Sequence, residues 1–204
     1  MKKILIILFF LGLIQANAQQ LNSNQLDSLY NLFVSSRTVS AQVEQPVSEL
    51  QYIKCGFRLT ALIQANINSF SIEQQKVLRK ILERPVKNSS MVTPGGFFRI
   101  HYNSSGADIP KYFIDAAKSD SELLKMSLDS LALALDSTYN FEVNFLNYPA
   151  PPSDGSEGGD GLYDIYVDNL DGERIYGETR LESEVSPGTN KFTTYIRIEN
   201  DFNN

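Results

Sequence analysis

The sequence has a single cysteine and a single histidine in 204 residues. Cys55 has no partner for an internal disulfide, so packing or a bound metal must hold the fold together. His101 is the only imidazole, and a zinc site of the common catalytic type takes two or three of them. The chain as given therefore cannot be a complete histidine-ligated zinc enzyme.

Positive charge is also scarce. The sequence has 18 Lys and Arg against 24 Asp and Glu, which gives a formal net charge of -6 and a pI near 4.9. Such a chain offers no extended positive surface to displace counter-ions from phosphate. We therefore expect no nucleic-acid partner, and binding to an anionic membrane surface is disfavoured.

Long hydrophobic runs are missing after the first residues. Lys2 and Lys3 precede an apolar run over residues 4–14, and small residues follow up to Ala18. This order is typical of a secretory signal peptide. The run is too short for a membrane span, which needs about 20 apolar residues. We expect residues 1–18 to be removed and the protein to be secreted, to the periplasm or beyond, without membrane insertion.

The first part of the mature chain has the pattern of helices. Apolar residues at three- and four-residue spacing predict helices over 23–36 and 57–69. A third helix should begin at the capping-box pair Ser71 and Gln74 and end before Pro85. A polar linker is predicted next, over residues 86–95.

The second part mixes strands with a helix. A β-rich run over 97–102 precedes a long helix that should start at the capping-box pair Ser119 and Glu122. Strands are predicted at 163–168, 174–179 and 192–199. The first two should form a hairpin across Asp171-Gly172. We therefore expect an α+β fold, divided into a helical region over 19–90 and a sheet-containing region over 91–204.

Several strings in the second part carry a resemblance to a known family. They cover about half of the chain in order, over residues 94–102, 141–144, 151–166, 176–177 and 195–202. Together they resemble the amino-terminal part of secreted bacterial zinc metalloproteases of the zincin type. In that family the strand ending in Asn-Asp-Phe is followed by the active-site helix with its His-Glu-x-x-His motif, and this sequence ends before that helix.

The resemblance implies a fold and a function. Residues 91–204 would be the amino-terminal half of a zincin-like protease domain, with a partial mixed sheet and one long backing helix. The full-length parent would hydrolyse peptide bonds in extracellular proteins or peptides by means of zinc-activated water. This chain would contain no catalytic residue, and it could not bind zinc at a histidine site. The strand at 174–179 would be the sheet edge that pairs with extended substrate.

Cys55 is the candidate for a zinc-blocking role. It lies in Lys54-Cys55-Gly56, and a neighbouring cation favours the thiolate that binds zinc. The arrangement is similar to the cysteine switch of matrix-type metalloproteases. Residues 19–90 would then be an inhibitory propeptide, cut within the linker. The alternative is a buried free cysteine that acts as a small hydrophobe.

A glycine-rich loop holds four acidic side chains that could bind calcium, a cation that prefers oxygen ligands. They are Asp154, Glu157, Asp160 and Asp164. The alternative is a solvated turn. His101 lies in a predicted strand and is interpreted as a packed, hydrogen-bonded side chain.

A second function is consistent with the same features. The chain could be a non-catalytic secreted module that uses its sheet and the exposed edge strand to hold a protein or a glycan.

Overall fold

The structure is a computed structural model that describes residues 21–38, 57–173, 175–186, 189 and 191–202. The predicted signal peptide and Cys55 lie outside the described residues.

Three helices form the first layer: α1 (Ser23–Thr38), α2 (Phe57–Ala65) and α3 (Ile72–Leu82). We call them the helical layer. All three were predicted, although α2 stops at Ala65 and a short 3-10 turn follows it. The capping box at Ser71 and Gln74 is present. The apolar stripes meet in a core of their own, made of Leu26, Phe33, Leu59, Ile63, Phe70 and Leu78.

A five-stranded mixed sheet follows, which together with the helices confirms the α+β class. Its strands are β1 (Ser89–Val92), β2 (Phe98–Tyr102), β3 (Tyr163–Asp168), β4 (Gly177–Glu184) and β5 (Phe192–Glu199). They lie in the order β1-β2-β3-β5-β4. The three central strands are parallel, and the two edge strands are antiparallel to their neighbours.

The long helix α4 (Asp120–Tyr139) covers one face of the sheet, and Ser119 and Glu122 cap it as predicted. A π-helix, Asn140–Phe145, continues it. The buried core between α4 and the sheet consists of Phe98, Ile100, Leu128, Leu131, Ala132, Ile165 and Val167. Alternation along each strand places these apolar side chains on the α4 side.

The predicted linker over 86–95 is wrong for its central residues, because Ser89–Val92 forms strand β1. A hairpin joins β1 to β2, and in it the Gly96 amide donates to the Thr93 carbonyl at 2.9 Å. Gly95 has no room for a side chain, since a Cβ would lie 2.7 Å from Asp136 on α4. The polar composition of β1 is typical of an exposed edge strand, and the same composition suggested a linker.

The predicted hairpin between 163–168 and 174–179 is also wrong, because β5 lies between β3 and β4. Residues Asp171–Glu173 form a 3-10 turn anchored by the buried Leu170, so the chain leaves the sheet there. The other part of that prediction holds, since β4 is an edge strand.

No helix within the described part of the chain combines the length and the apolar character that a membrane span requires.

Two leucines on α4 test the assigned core. Leu131 is 7% exposed against the sheet, whereas Leu133 is 70% exposed on the same helix. We expect Leu131→Ala to lower the free energy of unfolding by about 2–5 kcal/mol, through lost burial and a cavity. Leu133→Ala should change it by less than about 0.5 kcal/mol. Urea denaturation measures both values, and equal losses would contradict the orientation of α4.

Candidate functional site

The sheet face opposite α4 is polar but largely buried. Its side chains alternate with those of the core and come from β2, β3, β4 and β5; we call this the polar face. The helical layer covers it at the end of α3. The Tyr195 hydroxyl lies 3.4 Å from the Leu82 carbonyl, and the Arg180 guanidinium lies 3.5 Å from the Ile81 carbonyl. Charged groups there are shielded from water, so each requires a partner.

Arg84 extends from the segment after α3 into a group of four carboxylates, which we call the Arg84 cluster. Two nitrogens of its guanidinium each lie 2.5 Å from an oxygen of Glu182, and Nη2 also lies 2.5 Å from Asp154 Oδ2. Nη1 pairs with the fully buried Asp164. Nε lies 3.7 Å from Glu157, which is 62% exposed. One cation is thus ringed by acidic groups from a loop and two strands.

Local structure explains this convergence. Arg84 follows the C-cap of α3 and precedes Pro85, and its guanidinium lies 5.2 Å from the centre of the Tyr195 ring. The acidic loop wraps closely around Asp164 at Gly158, where φ is +81° and a Cβ would lie 2.2 Å from the Asp164 carboxylate. Only glycine fits such a position.

The Arg84 cluster has more negative than positive charge. Burial raises the pKa of Asp154 and of Glu182 above the ordinary values, and hydrogen bonds to Arg84 only partly oppose this. Burial lowers the pKa of Arg84, but hydrogen bonds to Glu182, Asp154, Tyr166 and Asp164 outweigh it, and the net pKa is above its usual value. Arg84 is therefore charged at any ordinary pH.

His101 adjoins this cluster. Its Nε2 lies 2.7 Å from Asp164 Oδ1, and its ring stacks on Tyr166 with 4.4 Å between centres. This agrees with the interpretation of His101 as a packed, hydrogen-bonded side chain.

The structure brings together three of the four predicted calcium ligands, Asp154, Glu157 and Asp164. The fourth, Asp160, pairs instead with Arg99 at 2.5 Å. Glu182 also belongs to the cluster, and it was not predicted from the sequence. Its only signal was alternation along β4, which places Glu178, Arg180 and Glu182 on one face.

A second charged group, the Arg37 cluster, lies at the other end of the polar face. Arg37 at the end of α1 pairs with Glu173 at 2.6 Å and with Glu178 at 2.8 Å. Arg180 and Arg197 bind the same Glu178 carboxylate at 2.6 and 2.7 Å. Burial raises the pKa of Glu178, but Arg180, Arg37 and Arg197 lower it more, so its net pKa lies below the ordinary value of 4.5.

An open cleft of about 730 Å³ adjoins the Arg37 cluster, between the helical layer and strands β4 and β5. We call it the edge cleft. Charged residues of the cluster line it together with apolar residues, among them Phe57, Leu59, Tyr176, Ile196 and Ile198.

The described residues do not fit a zinc ion. Zinc sites in proteins almost always include imidazole nitrogen or thiolate sulfur, and among the described residues the one such group is the His101 imidazole, which is hydrogen-bonded to Asp164. In the described part of the chain, one group of potential metal ligands is close enough to share an ion without any rearrangement: Asp171, Glu199 and Asp201. It contains carboxylates alone, and both oxygens of Glu199 already accept backbone N–H groups, from Leu170 and Asn200.

Comparison of the chain with protein-family models, with curated proteins and with solved structures finds no match. The site must therefore be interpreted from its own geometry.

The Arg37 cluster predicts a pH-dependent stability. A carboxyl whose pKa is depressed by folding adds stability above its unfolded pKa, and this is lost as the pH falls through the folded value. Glu178→Gln should lower the free energy of unfolding by about 3 kcal/mol at neutral pH, because it leaves buried arginines short of charge. The variant should also lose less stability than the wild type when the pH falls below about 4.5.

Urea denaturation at several pH values measures both effects. The control is Asp129→Asn, whose partner Lys125 is 75% exposed, and it should cost less than about 0.5 kcal/mol. Equal costs for the two variants would contradict the assigned role of Glu178.

Proposed function

We propose that this chain is the amino-terminal part of a secreted zinc metalloprotease of the zincin type, with the helical layer as its prosegment. The zinc and its ligands would belong to a downstream segment of the full-length parent. The observation that carries the proposal is the cover that the helical layer forms over the antiparallel edge strand β4.

The form of the sheet supports the proposal. Parallel central strands are backed by one long helix, α4, and the sheet ends at the antiparallel strand β4. An edge strand is where an extended peptide can add as a further strand, so β4 is the candidate for substrate binding.

Contacts along β4 support the prosegment role. On α2, Gln64 Nε2 donates to the Leu181 carbonyl of β4 at 2.9 Å. At the opposite end of the strand, Arg37 binds Glu178. A peptide that approached β4 would meet the helical layer first, so the layer would have to move or be removed before substrate binds.

The chain alone should be inactive. We expect the purified mature chain, Gln19 to Asn204, to show no chelator-sensitive cleavage of casein even with zinc added, because a zinc ion without its histidine ligands has no fixed water to activate and the sequence has one histidine. The measurement is a casein assay with and without a chelator. Cleavage that a chelator abolishes would contradict the assignment of the catalytic residues to a downstream segment.

The cysteine-switch hypothesis remains a prediction, because Cys55 lies outside the described residues. Phe57, two residues further along the chain, lines the edge cleft next to β4. In a full-length parent with the zinc helix, Cys55→Ala should be active without processing, and mercurials should activate the wild type, because the thiolate would no longer block the zinc.

Proteolytic activity before and after removal of residues 19–90 tests this. A Cys55→Ala protein as inactive as the wild type, or a wild type already active with residues 19–90 attached, would leave Cys55 with a packing role alone.

A non-catalytic binding module is the second candidate, and the edge cleft favours it. Its mixture of apolar walls and paired charges can hold a protein segment or a glycan without chemistry. The gene sequence beyond the codon for Asn204 separates the two candidates. A His-Glu-x-x-His helix in frame supports the protease, and a stop codon supports the binding module.

A further inference from the structure

Asp154 has an unused acceptor inside the Arg84 cluster. Its side chain is 6% exposed, and Oδ2 lies 2.5 Å from Arg84. The other oxygen, Oδ1, is buried and has no hydrogen-bond partner. A buried acceptor without a partner is costly, and it points to a missing ligand.

The charge balance leads to the same conclusion. Asp154, Asp164 and Glu182 surround one guanidinium, and Glu157 adds a fourth carboxylate at the exposed side. The raised pKa values of Asp154 and Glu182 reflect burial in this setting. A second positive charge, or one of higher valence, would offset the excess.

We propose that Asp154, Asp164 and Glu182 form a calcium site that the Arg84 guanidinium occupies as an internal counter-ion, so that calcium and Arg84 compete for the same oxygens. Glu157 is the fourth ligand on the solvent side. Calcium is the ion of choice because every donor is a carboxylate oxygen, and because it accepts irregular sets of six to eight ligands that include water.

Binding of the ion requires the carboxylates to lie closer together than they do around the Arg84 guanidinium. The carboxylates now surround a planar group, whereas calcium holds oxygens at about 2.3–2.6 Å. Asp154 and Glu157 lie in the connection between α4 and β3, and the proposal requires their carboxylates to move inward. Asp164 keeps Oδ1 on His101 and offers Oδ2, the atom now paired with Arg84.

Competition by Arg84 makes the site conditional. Calcium affinity in the wild type equals the affinity of the open site multiplied by the fraction of molecules in which Arg84 has left it. Arg84 belongs to the segment that joins the helical layer to β1, so displacement of that segment would open the site. This inference does not depend on the proposed protease function, because it concerns binding alone.

The test compares Arg84→Met with the wild type in the full chain. Terbium is the probe, since it replaces calcium and is sensitised by nearby tyrosines, and Tyr195 lies 5.2 Å from the guanidinium that terbium would replace. We expect Arg84→Met to bind terbium at least about tenfold more tightly than the wild type, and calcium to displace it. Titration calorimetry with calcium alone should also show that Arg84→Met binds the ion more tightly than the wild type.

Two controls identify the ligands. Adding Asp154→Asn to Arg84→Met should remove the gain, because it takes away the carboxylate with the unused oxygen. Arg99→Met frees Asp160 in the same loop and should bind terbium no better than the wild type. If the terbium affinity of Arg99→Met rises as much as that of Arg84→Met, the loop attracts cations without a defined site, and the proposal is overturned.

Folding provides the remaining readout. A folded Arg84→Met variant that binds no better than the wild type overturns the proposal, as does binding that survives Asp154→Asn. If Arg84→Met is unfolded in chelator, millimolar calcium should restore its circular dichroism by mass action on the folded state. Failure to restore it counts against the site.

Discussion

Buried carboxylates on the polar face of the sheet must be matched by cations. This requirement determines how the helical layer is attached to the sheet. Strands β3 and β4 contribute Asp164, Asp168, Glu178 and Glu182. The matching cations include Arg37 from α1, and Arg84 and Lys87 from the segment after α3. A hydrophobic interface would tolerate a shift of the helices, but a buried ion pair depends on the position of each partner.

This requirement distinguishes the two faces of the sheet. On the α4 side, apolar packing is tolerant of volume-conserving changes. On the other side, loss of one carboxylate can leave several arginines without a partner, since Glu178 is shared by three cations. The helical layer is therefore bound to the sheet by charge as well as by contact.

The sequence predicts some elements well for local reasons. Ser71 and Ser119 are each followed by a side chain that completes a capping box, so the starts of α3 and α4 could be placed to the residue. The alternation in β5 is complete, and its predicted bounds agree with the structure. In each case the sequence pattern that predicts the element involves only a few neighbouring residues.

The failures have a non-local cause. Asp171-Gly172 has the composition of a hairpin, but the choice of partner for β3 was decided by Ile196 and Ile198, which pack into the core from a strand further along the chain. Glu182 joined the Arg84 cluster through tertiary contacts that periodicity does not encode. Arg84 itself could be recognised in the sequence only as a residue before proline, and its role emerges from the four carboxylates around it.

The position of β5 has a consequence for assembly. It lies between β3 and β4, yet it leaves the ribosome after both of them. Until it arrives, β4 has no partner in the sheet and Arg197 cannot reach Asp168 or Glu178. Domains fold as units once their strands have been synthesised, so β4 cannot join the sheet of this protein until β5 has been made.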